Sequence, residues 1–298
     1  NYVAAYDSAV VRDLLKEGAV ILGRTNMDEF AMGSSTQTSA FGVTRNPLDP
    51  SRVPGGSSGG SAAALASDMA LATLGTETCG SVREPSAFCG LVGLKPTYGA
   101  VSRHGIIAMG NSLDQVSPFG KCVADTEILF NSLSRYDAED STSVQDELRK
   151  PQGEKTRVGI NKKIGVPWHL FKDGVDPSIQ ENFKQSLEQL KSLGYEIVDI
   201  ELPHAKYSLA VYYIIMPAEV STNLSRFDGI RYGLSVDGET LADVYKKSRG
   251  QGFGAEARRR ILLGTYVLSH GYYDAYYNKA IKVREKVKQE VLQAFQEV

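Results

Sequence analysis

The chain has 298 residues, of which 42% are hydrophobic and 23% are charged, and its formal net charge at pH 7 is −2. A chain of this length and composition can bury a full hydrophobic core. The near-neutral charge excludes a basic footprint for autonomous nucleic-acid binding. Three cysteines without a CxxC pair predict reduced thiols, with neither a disulfide framework nor a metal site. No apolar run approaches the length of a membrane span.

Alternating helix and strand patterns predict an α/β fold with a central, largely parallel or mixed β-sheet flanked by helices. The first half predicts a helix over 7–17 with Asp7 as N-cap and Gly18 as stop, a buried strand over 19–23, loops over 31–60, a helix over 61–70, a strand over 69–75 and a strand or loop over 92–97. The second half predicts a polar connection over 137–155, a strand over 157–160, a helix over 177–193 between Asp176 and Gly194, a strand over 195–200 and helices from 254 onward.

Two serine-glycine segments carry the strongest chemical signal. One runs from Gly55 to Ser61 and the other from Cys79 to Pro85, and Ser81 follows Ser57 after 24 positions. Serine needs a neighbouring group to remove its proton before it can attack. Glycine neighbours let backbone N–H groups approach a developing oxyanion. The pattern favours an amide-cleaving site in which one serine passes its proton to another.

Other interpretations of the first segment fit less well. A flexible Gly/Ser linker disagrees with the short run between Pro54 and an alanine-rich helix. A phosphate-binding loop would need a lysine followed by Ser or Thr at a spacing that is not met. Gly55-x-Ser57-x-Gly59 matches the hydrolase nucleophile elbow, but that motif needs a preceding strand and a later histidine, and the neighbours of His204 and His270 are not distinctive.

The extended pattern resembles the amidase signature family. It comprises Pro54 to Ser61, Gly80 to Gly90 and Gly93 to Thr97, and it is long and position-specific. The resemblance implies the amidase signature fold, in a single domain over 1–298 with its signature core at 50–125.

The resemblance also implies a role for each motif residue. Ser81 is expected to be the acyl-accepting nucleophile, and Ser57 the bridging serine on a cis peptide bond. Ser58 and Arg83 are expected to support both through hydrogen bonds. Four consecutive backbone N–H groups are expected to form the oxyanion hole, those of Thr78, Cys79, Gly80 and Ser81.

Three further segments, 24–36, 225–233 and 264–277, are similar to one subgroup of that family, the glutamine-hydrolysing subunits of tRNA-dependent amidotransferases. In that subgroup a tyrosine and an arginine hold the glutamine, and the matching positions are Tyr212 and Arg260. A guanidinium can bind the substrate α-carboxylate through two parallel hydrogen bonds. Arg258 and Arg259 are expected to belong to a solvated helix face.

The subgroup implies an activity and partners. The activity is glutamine hydrolysis to ammonia, which serves to convert Glu-tRNA(Gln) or Asp-tRNA(Asn) into Gln-tRNA or Asn-tRNA. The partners are glutamine and the B and C subunits. ATP and Mg are used by the partner subunit, tRNA is held mainly through it, and this chain needs no cofactor. The expected location is the bacterial cytoplasm or an organellar matrix. A stand-alone amidase for another amide and an inactive scaffold subunit remain as alternatives.

The chain departs from the family pattern in three ways. Alignment through the signature places the family lysine base shortly before Asn1, and Lys16 does not replace it because the base must be buried to be neutral. With abrupt ends at Asn1 and Val298, we expect an internal fragment that lacks both ends and is inactive alone. Cys79 stands where glycine is usual and Glu77 where aspartate is usual. Cys79 is not expected to be a nucleophile, because no histidine partner is evident nearby.

Overall fold

The computed structural model describes residues 3–145, 162–171 and 174–298. The chain divides into two compact units. The first comprises Asn1–Arg149 and Pro217–Thr265, and the second comprises Lys150–Met216 and Tyr266–Val298. The assignment of residues 1–298 to one domain stays a prediction.

The first unit contains a three-stranded antiparallel sheet in the order β1-β3-β2. Its elements up to residue 133 are α1 (Ala9–Lys16), a 3-10 turn (Glu29–Ala31), α2 (Gly59–Ala66), β1 (Thr73–Glu77), α3 (Arg83–Phe88), β2 (Val92–Gly93), β3 (Gln115–Gly120) and α4 (Val123–Leu133). The register between β1 and β3 pairs Glu77 with Gln115. The chain therefore leaves the sheet at Glu77 and enters the second serine segment at once.

The second unit contains a two-stranded parallel sheet of β4 (Lys163–Val166) and β5 (Glu196–Asp199), connected through α5 (Pro177–Ser192). A parallel pair needs such a crossover. Asp176 caps α5 by accepting the N–H of Ser178 at 2.8 Å, which confirms the predicted start of this helix. The later elements of the chain are 3-10 turns at Trp168–Phe171, Ala205–Tyr207 and Leu224–Arg226, α6 (Ser208–Asn223), α7 (Leu241–Gly252), α8 (Ala255–Val267), a π-helical turn (Tyr273–Asn278) and α9 (Lys279–Glu297).

The predicted α/β class is confirmed, because sheets of both kinds are accompanied by helices. The prediction left largely parallel and mixed pairing open, and the structure has an antiparallel three-stranded sheet and a parallel two-stranded one. The helix predicted over 61–70 begins at Gly59 and ends at Ala66, and the strand predicted over 69–75 lies at Thr73–Glu77. The helices predicted after residue 254 and the strand near 195–200 are confirmed.

The buried strand predicted over 19–23 is wrong. Val20 is 81% exposed and Leu22 is 72% exposed, and no strand pairs with this segment within the described residues. An apolar run forms a strand only where a neighbour completes its hydrogen bonds. Ser8 rather than Asp7 precedes α1 as its N-cap. The strand predicted over 157–160 lies outside the described residues.

One apolar cluster lies behind both serine segments. Phe119 of β3 is fully buried and belongs to a cluster with Leu65 of α2 and Val82, the residue before α3. Burying such a side chain stabilises a fold by about 1.5–3 kcal/mol. The two helices that follow the serine segments therefore share one core, which fixes the position of each segment relative to the other.

Candidate active site

The two serine segments lie side by side in the first unit. Ser57 and Ser58 stand immediately before α2, and Ser81 stands between β1 and α3. The N–H of Ser58 donates to the carbonyl oxygen of Ser81 at 3.1 Å. Ser58 Oγ donates to the carbonyl oxygen of Thr76 in β1 at 3.2 Å. Ser58 therefore ties the loop that holds Ser57 to the loop that holds Ser81.

Ser57 is completely buried, and the peptide bond between Gly56 and Ser57 is cis. Gly55 has a φ of 82°, and a Cβ there would lie 2.8 Å from the Cα of Pro85, so this close approach to α3 requires glycine. Ser57 Oγ makes no hydrogen bond to any residue that the structure describes. A buried hydroxyl group in this state is costly, so its retention calls for a functional explanation.

Asp28 supports the Ser57 turn. Its carboxylate is fully buried and accepts the N–H groups of Ser35 at 3.3 Å, Thr36 at 2.9 Å and Thr38 at 3.1 Å. Its own N–H donates to the carbonyl oxygen of Ser57 at 3.1 Å. Asp28 lies in segment 24–36, which is similar to the subgroup, but no role for Asp28 was predicted from the sequence. The missed signal is an aspartate followed by Ser and Thr residues that can supply local donors.

Glu77 organises the segment that carries Ser81. It is fully buried, and Oε1 accepts the N–H of Gly80 at 3.0 Å and Arg83 Nε at 2.6 Å. Oε2 accepts the N–H groups of Val82 at 3.1 Å and Arg83 at 3.0 Å. Charge-assisted hydrogen bonds of this kind are stronger than neutral ones. The loop around Ser81 is therefore held by hydrogen bonds to the Glu77 carboxylate. Arg83 also forms an ion pair with that carboxylate.

The backbone of this loop carries several N–H groups that are not used within the loop. In the part of the chain that the structure describes, the N–H groups of Thr78, Cys79 and Ser81 have no hydrogen-bond acceptor, and we call them the open donors. The N–H of Gly80 differs because Glu77 accepts it. Gly80 has a φ of 118°, and a Cβ there would meet nothing within 4 Å. Preorganised N–H groups of this kind can hold an oxyanion.

Cys79 lies within this loop and is exposed as a residue, although its sulfur is partly buried. Burial of its sulfur raises the pKa of the Cys79 thiol, although the charge of Arg83 opposes the shift. The thiol is therefore protonated at neutral pH, and a protonated thiol is a poor nucleophile. This supports the sequence-based expectation that Cys79 is not the attacking group.

Glu84 follows the loop in the first turn of α3. Burial, and then the charges of Asp28 and Glu77, raise its pKa to about 7. The charged form of Glu84 is therefore disfavoured by burial and by two neighbouring carboxylates.

Arg260 differs from its neighbours Arg258 and Arg259 in its exposure to solvent. Arg260 is 6% exposed, and its Nε donates to Glu256 Oε1 at 2.6 Å. Arg258 and Arg259 are exposed, as expected for a solvated helix face. Hydrogen bonds from Arg259 and then Arg260 lower the pKa of Glu256 to about 2. A buried guanidinium with one fixed nitrogen is held in a defined orientation.

Tyr212 belongs to α6 and to the second compact unit. Its side chain is partly buried, and its ring meets that of Tyr213 edge-on with centroids 5.3 Å apart. A role for Tyr212 in binding substrate stays a prediction.

Two kinds of feature are absent across the described ranges. No group of three or more His, Cys, Asp or Glu side chains in them could hold a metal ion. No helix in these same ranges is long and apolar enough to cross a membrane.

The geometry defines a site with two adjoining serine loops and an array of backbone donors, and comparison with known proteins gives its class. The chain belongs to the Amidase family, which it matches over residues 1–298. The resemblance seen in the sequence motifs is therefore confirmed.

Among the relatives, the chain is similar to proteins named as the A subunit of glutamyl-tRNA(Gln) amidotransferase. It is 51% identical over 301 residues to the one from Thermodesulfovibrio yellowstonii and 53% identical over 300 residues to the one from Microcystis aeruginosa. Each alignment covers 100% of this chain and 62% of the relative. The crystal structure of the Thermotoga maritima protein of that name has a TM-score of 0.80 and 42% identity, over 100% of this chain and 60% of that one. The chain thus spans about three fifths of the length of these relatives.

Proposed function

We propose that this chain is the glutamine-hydrolysing part of a tRNA-dependent amidotransferase. The observation that carries the proposal is the fully buried Ser57 hydroxyl group in a loop tied to Ser81, beside the open donors. Such an arrangement suits the transfer of an acyl group from an amide to a serine. The relatives that are about 50% identical to the chain carry the name of the A subunit of such an enzyme, which supports this choice of substrate.

In the proposed mechanism, Ser81 Oγ attacks the side-chain carboxamide of glutamine. Its proton passes to Ser57, and Ser57 passes its own proton to a neutral lysine. The open donors hold the oxyanion of the tetrahedral intermediate, and each donor of this kind lowers the barrier by about 3 kcal/mol. The nitrogen takes a proton back and leaves as ammonia. Water then cleaves the glutamyl ester and restores Ser81.

The lysine in this proposal is the family base that the sequence analysis places before Asn1. The buried Ser57 hydroxyl group, which meets no partner among the described residues, supports a base that comes from elsewhere. We call the chain together with flanking sequence that carries this lysine the intact protein. Residues 1–298 alone are expected to release no ammonia from glutamine, and ammonia release by this chain alone would contradict the proposed base.

The proposed substrate contacts are Arg260 and Tyr212. Glutamine carries an α-carboxylate, and a guanidinium fork matches a carboxylate in geometry and charge. The burial of Arg260 and its fixed Nε support this role over its exposed neighbours Arg258 and Arg259. For Tyr212 the support is the resemblance of its position to the family's tyrosine.

The ammonia is proposed to serve a partner B subunit, which uses ATP and Mg to amidate Glu-tRNA or Asp-tRNA, with a C subunit in the complex. The formal net charge of −2 supports leaving tRNA contact to the partner. The proposed location is the bacterial cytoplasm.

Ammonia release from glutamine by the intact protein, with its partner subunits present, tests this function. The expected result is release that disappears in Ser81→Ala and falls at least about 100-fold in Ser57→Ala, because each variant removes one part of the proton-transfer pair. The matched control is Ser61→Ala, which changes a serine of α2 outside the proposed chemistry. Hydrolysis of apolar amides with none of glutamine would contradict the proposal and favour a stand-alone amidase. Partner binding without any turnover would favour a scaffold.

A further inference from the structure

Asp114 holds the first residue of the loop that carries the open donors. It precedes β3 and is 6% exposed. Asp114 Oδ1 accepts the hydroxyl group of Thr78 at 2.7 Å. Its Oδ2 accepts the N–H groups of Met109 at 2.8 Å and Gly110 at 2.9 Å. A buried carboxylate with three donors is fixed in place, because each lost bond would leave a buried polar group unsatisfied.

The segment that carries Asp114 is itself anchored to helix α6. The side-chain amide of Asn223 donates to the carbonyl oxygen of Met109 at 2.9 Å, and the N–H of Ser112 donates to Glu219 Oε2 at 2.9 Å. Asn223 is 1% exposed. The turn that carries Asp114 is therefore tied to α6 by two hydrogen bonds.

A small cavity lies beside this contact. Its volume is about 10 Å³, and its lining includes Thr76, Thr78, Met109, Asp114 and Gln115. This volume is about the smallest that can hold one water molecule.

We infer that Asp114 is a positioning residue for the oxyanion hole, which it orients through the hydroxyl group of Thr78. The inference rests on the proposed function, since it concerns the rate of acyl transfer to Ser81. The bond to Asp114 fixes the side chain of Thr78, and with it the direction of the N–H at the start of the loop. Glu77 holds the other end of the loop through Gly80, Val82 and Arg83. The two carboxylates thus hold the open donors between them.

The kinetic test compares three variants of the intact protein with the wild type. Asp114→Asn retains the size of the side chain but loses the charged acceptor. It is expected to lower kcat for glutamine hydrolysis about tenfold and to leave KM within about twofold, because a loosened donor costs less than a deleted one. Thr78→Val is expected to match it, and Thr78→Ser to retain activity because its hydroxyl group remains. Asp114→Asn combined with Thr78→Val is expected to be no slower than either change alone.

A matched control uses another threonine–aspartate bond in the same unit. Thr142 Oγ1 donates to Asp140 Oδ1 at 2.8 Å, and Thr142→Val is expected to leave kcat unchanged. Wild-type kcat in both Asp114→Asn and Thr78→Val, or additive losses in the double variant, would overturn the inference. So would a loss of kcat in Thr142→Val as large as that in Thr78→Val, since it would show a general cost of losing such a bond.

A second readout does not depend on glutaminase activity. Methyl NMR of threonine-labelled intact protein reports the rotamer of Thr78. The expected result is one rotamer in the wild type and an averaged signal in Asp114→Asn, with the Thr142 signal unchanged. If the wild type releases no ammonia, the proposed function fails and this spectrum decides the inference. An unchanged Thr78 signal in Asp114→Asn would overturn it.

Discussion

The Ser57 hydroxyl group lowers the stability of the folded protein but is proposed to take part in proton transfer. It is fully buried in the loop that precedes α2, and it makes no hydrogen bond to any residue within the described ranges. Burying an unsatisfied hydroxyl group costs about 1–3 kcal/mol. Ser61, four positions later, is also buried but donates to the carbonyl oxygen of Leu74 at 2.7 Å and contacts the hydroxyl group of Thr25 at 2.7 Å. Alanine substitutions of Ser57 and Ser61 can therefore distinguish a serine that is needed for function from one that stabilises the fold.

Ser57→Ala in residues 1–298 is expected to leave the free energy of unfolding unchanged or to raise it by about 1 kcal/mol, because it removes an unsatisfied polar group. Ser61→Ala is expected to lower it by about 1–2 kcal/mol, because it breaks two hydrogen bonds in the core. Urea denaturation measures both. Equal destabilisation by the two changes would contradict the account of Ser57 as a serine kept for chemistry.

The raised pKa of Glu84 predicts a pH dependence of stability. Its folded-state pKa of about 7 lies above the ordinary value of 4.5, so the folded state binds this proton more tightly than the unfolded state. The contribution of Glu84 to stability is present below pH 4.5 and is lost as the pH rises through 7. Glu84→Gln is therefore expected to be more stable than the wild type at pH 8, with a smaller difference at pH 5.

Denaturation at both pH values checks this prediction, with Glu127→Gln as the control because Glu127 is exposed on α4. A Glu84→Gln variant that is less stable than the wild type at pH 8 would contradict the proposed burial of charge beside Asp28 and Glu77.

Cys79 gives a chemical test of the open donors. Cys79 is exposed as a residue, and an adduct on its sulfur would lie beside the N–H groups that are proposed to hold the oxyanion. Iodoacetamide is expected to inactivate the intact protein slowly at pH 7 and faster at pH 9, because burial raises the pKa of the thiol and the thiolate is the reacting form. Cys79→Gly is expected to stay active and to resist the reagent.

The control for this experiment is Cys122→Ala, which removes the thiol of another exposed cysteine and is expected to change nothing. Inactivation of Cys79→Gly at the wild-type rate would place the sensitive group elsewhere.

At the scale of elements, the connection between β1 and α3 depends on a single buried acid. Glu77 accepts three backbone N–H groups and pairs with Arg83, whereas a glutamine there would direct an N–H₂ group toward donors. Glu77→Gln is expected to lower the free energy of unfolding by about 3 kcal/mol, because buried N–H groups lose their charged acceptor. Thermal or urea denaturation measures the loss.

The control is Asp49→Asn, which breaks the exposed ion pair between Asp49 and Arg52 at 3.0 Å and is expected to have no measurable effect. A similar loss in both variants, or none in Glu77→Gln, would contradict the role of Glu77 as the centre of this loop.

These contacts show which parts of the fold and site the sequence could predict. The serine segments were identifiable because their glycines and serines are contiguous, and α5 was predictable because Asp176 and the apolar periodicity are local signals. The role of Asp114 was not predictable, because its partner Thr78 lies 36 positions earlier. The strand expected at 19–23 failed for the same reason, since strand formation depends on a neighbour that local pattern does not reveal.

At the scale of the whole molecule, this chain holds only some of the groups that the proposed reaction needs. The proposed nucleophile, the bridging serine and the open donors all lie in the first compact unit. The chain spans 62% of the length of its relatives from Thermodesulfovibrio yellowstonii and Microcystis aeruginosa. The proposed base and the proposed amidation of tRNA belong outside residues 1–298.

The most direct test of this account is to locate the acyl group during turnover. The intact protein is mixed with glutamine, quenched in acid, digested and examined by mass spectrometry. The account predicts a glutamyl ester on the peptide that contains Ser81, carried by Ser81 itself and absent from Ser81→Ala. A glutamyl group on Cys79, or ammonia release by Ser81→Ala at the wild-type rate, would contradict the central claim.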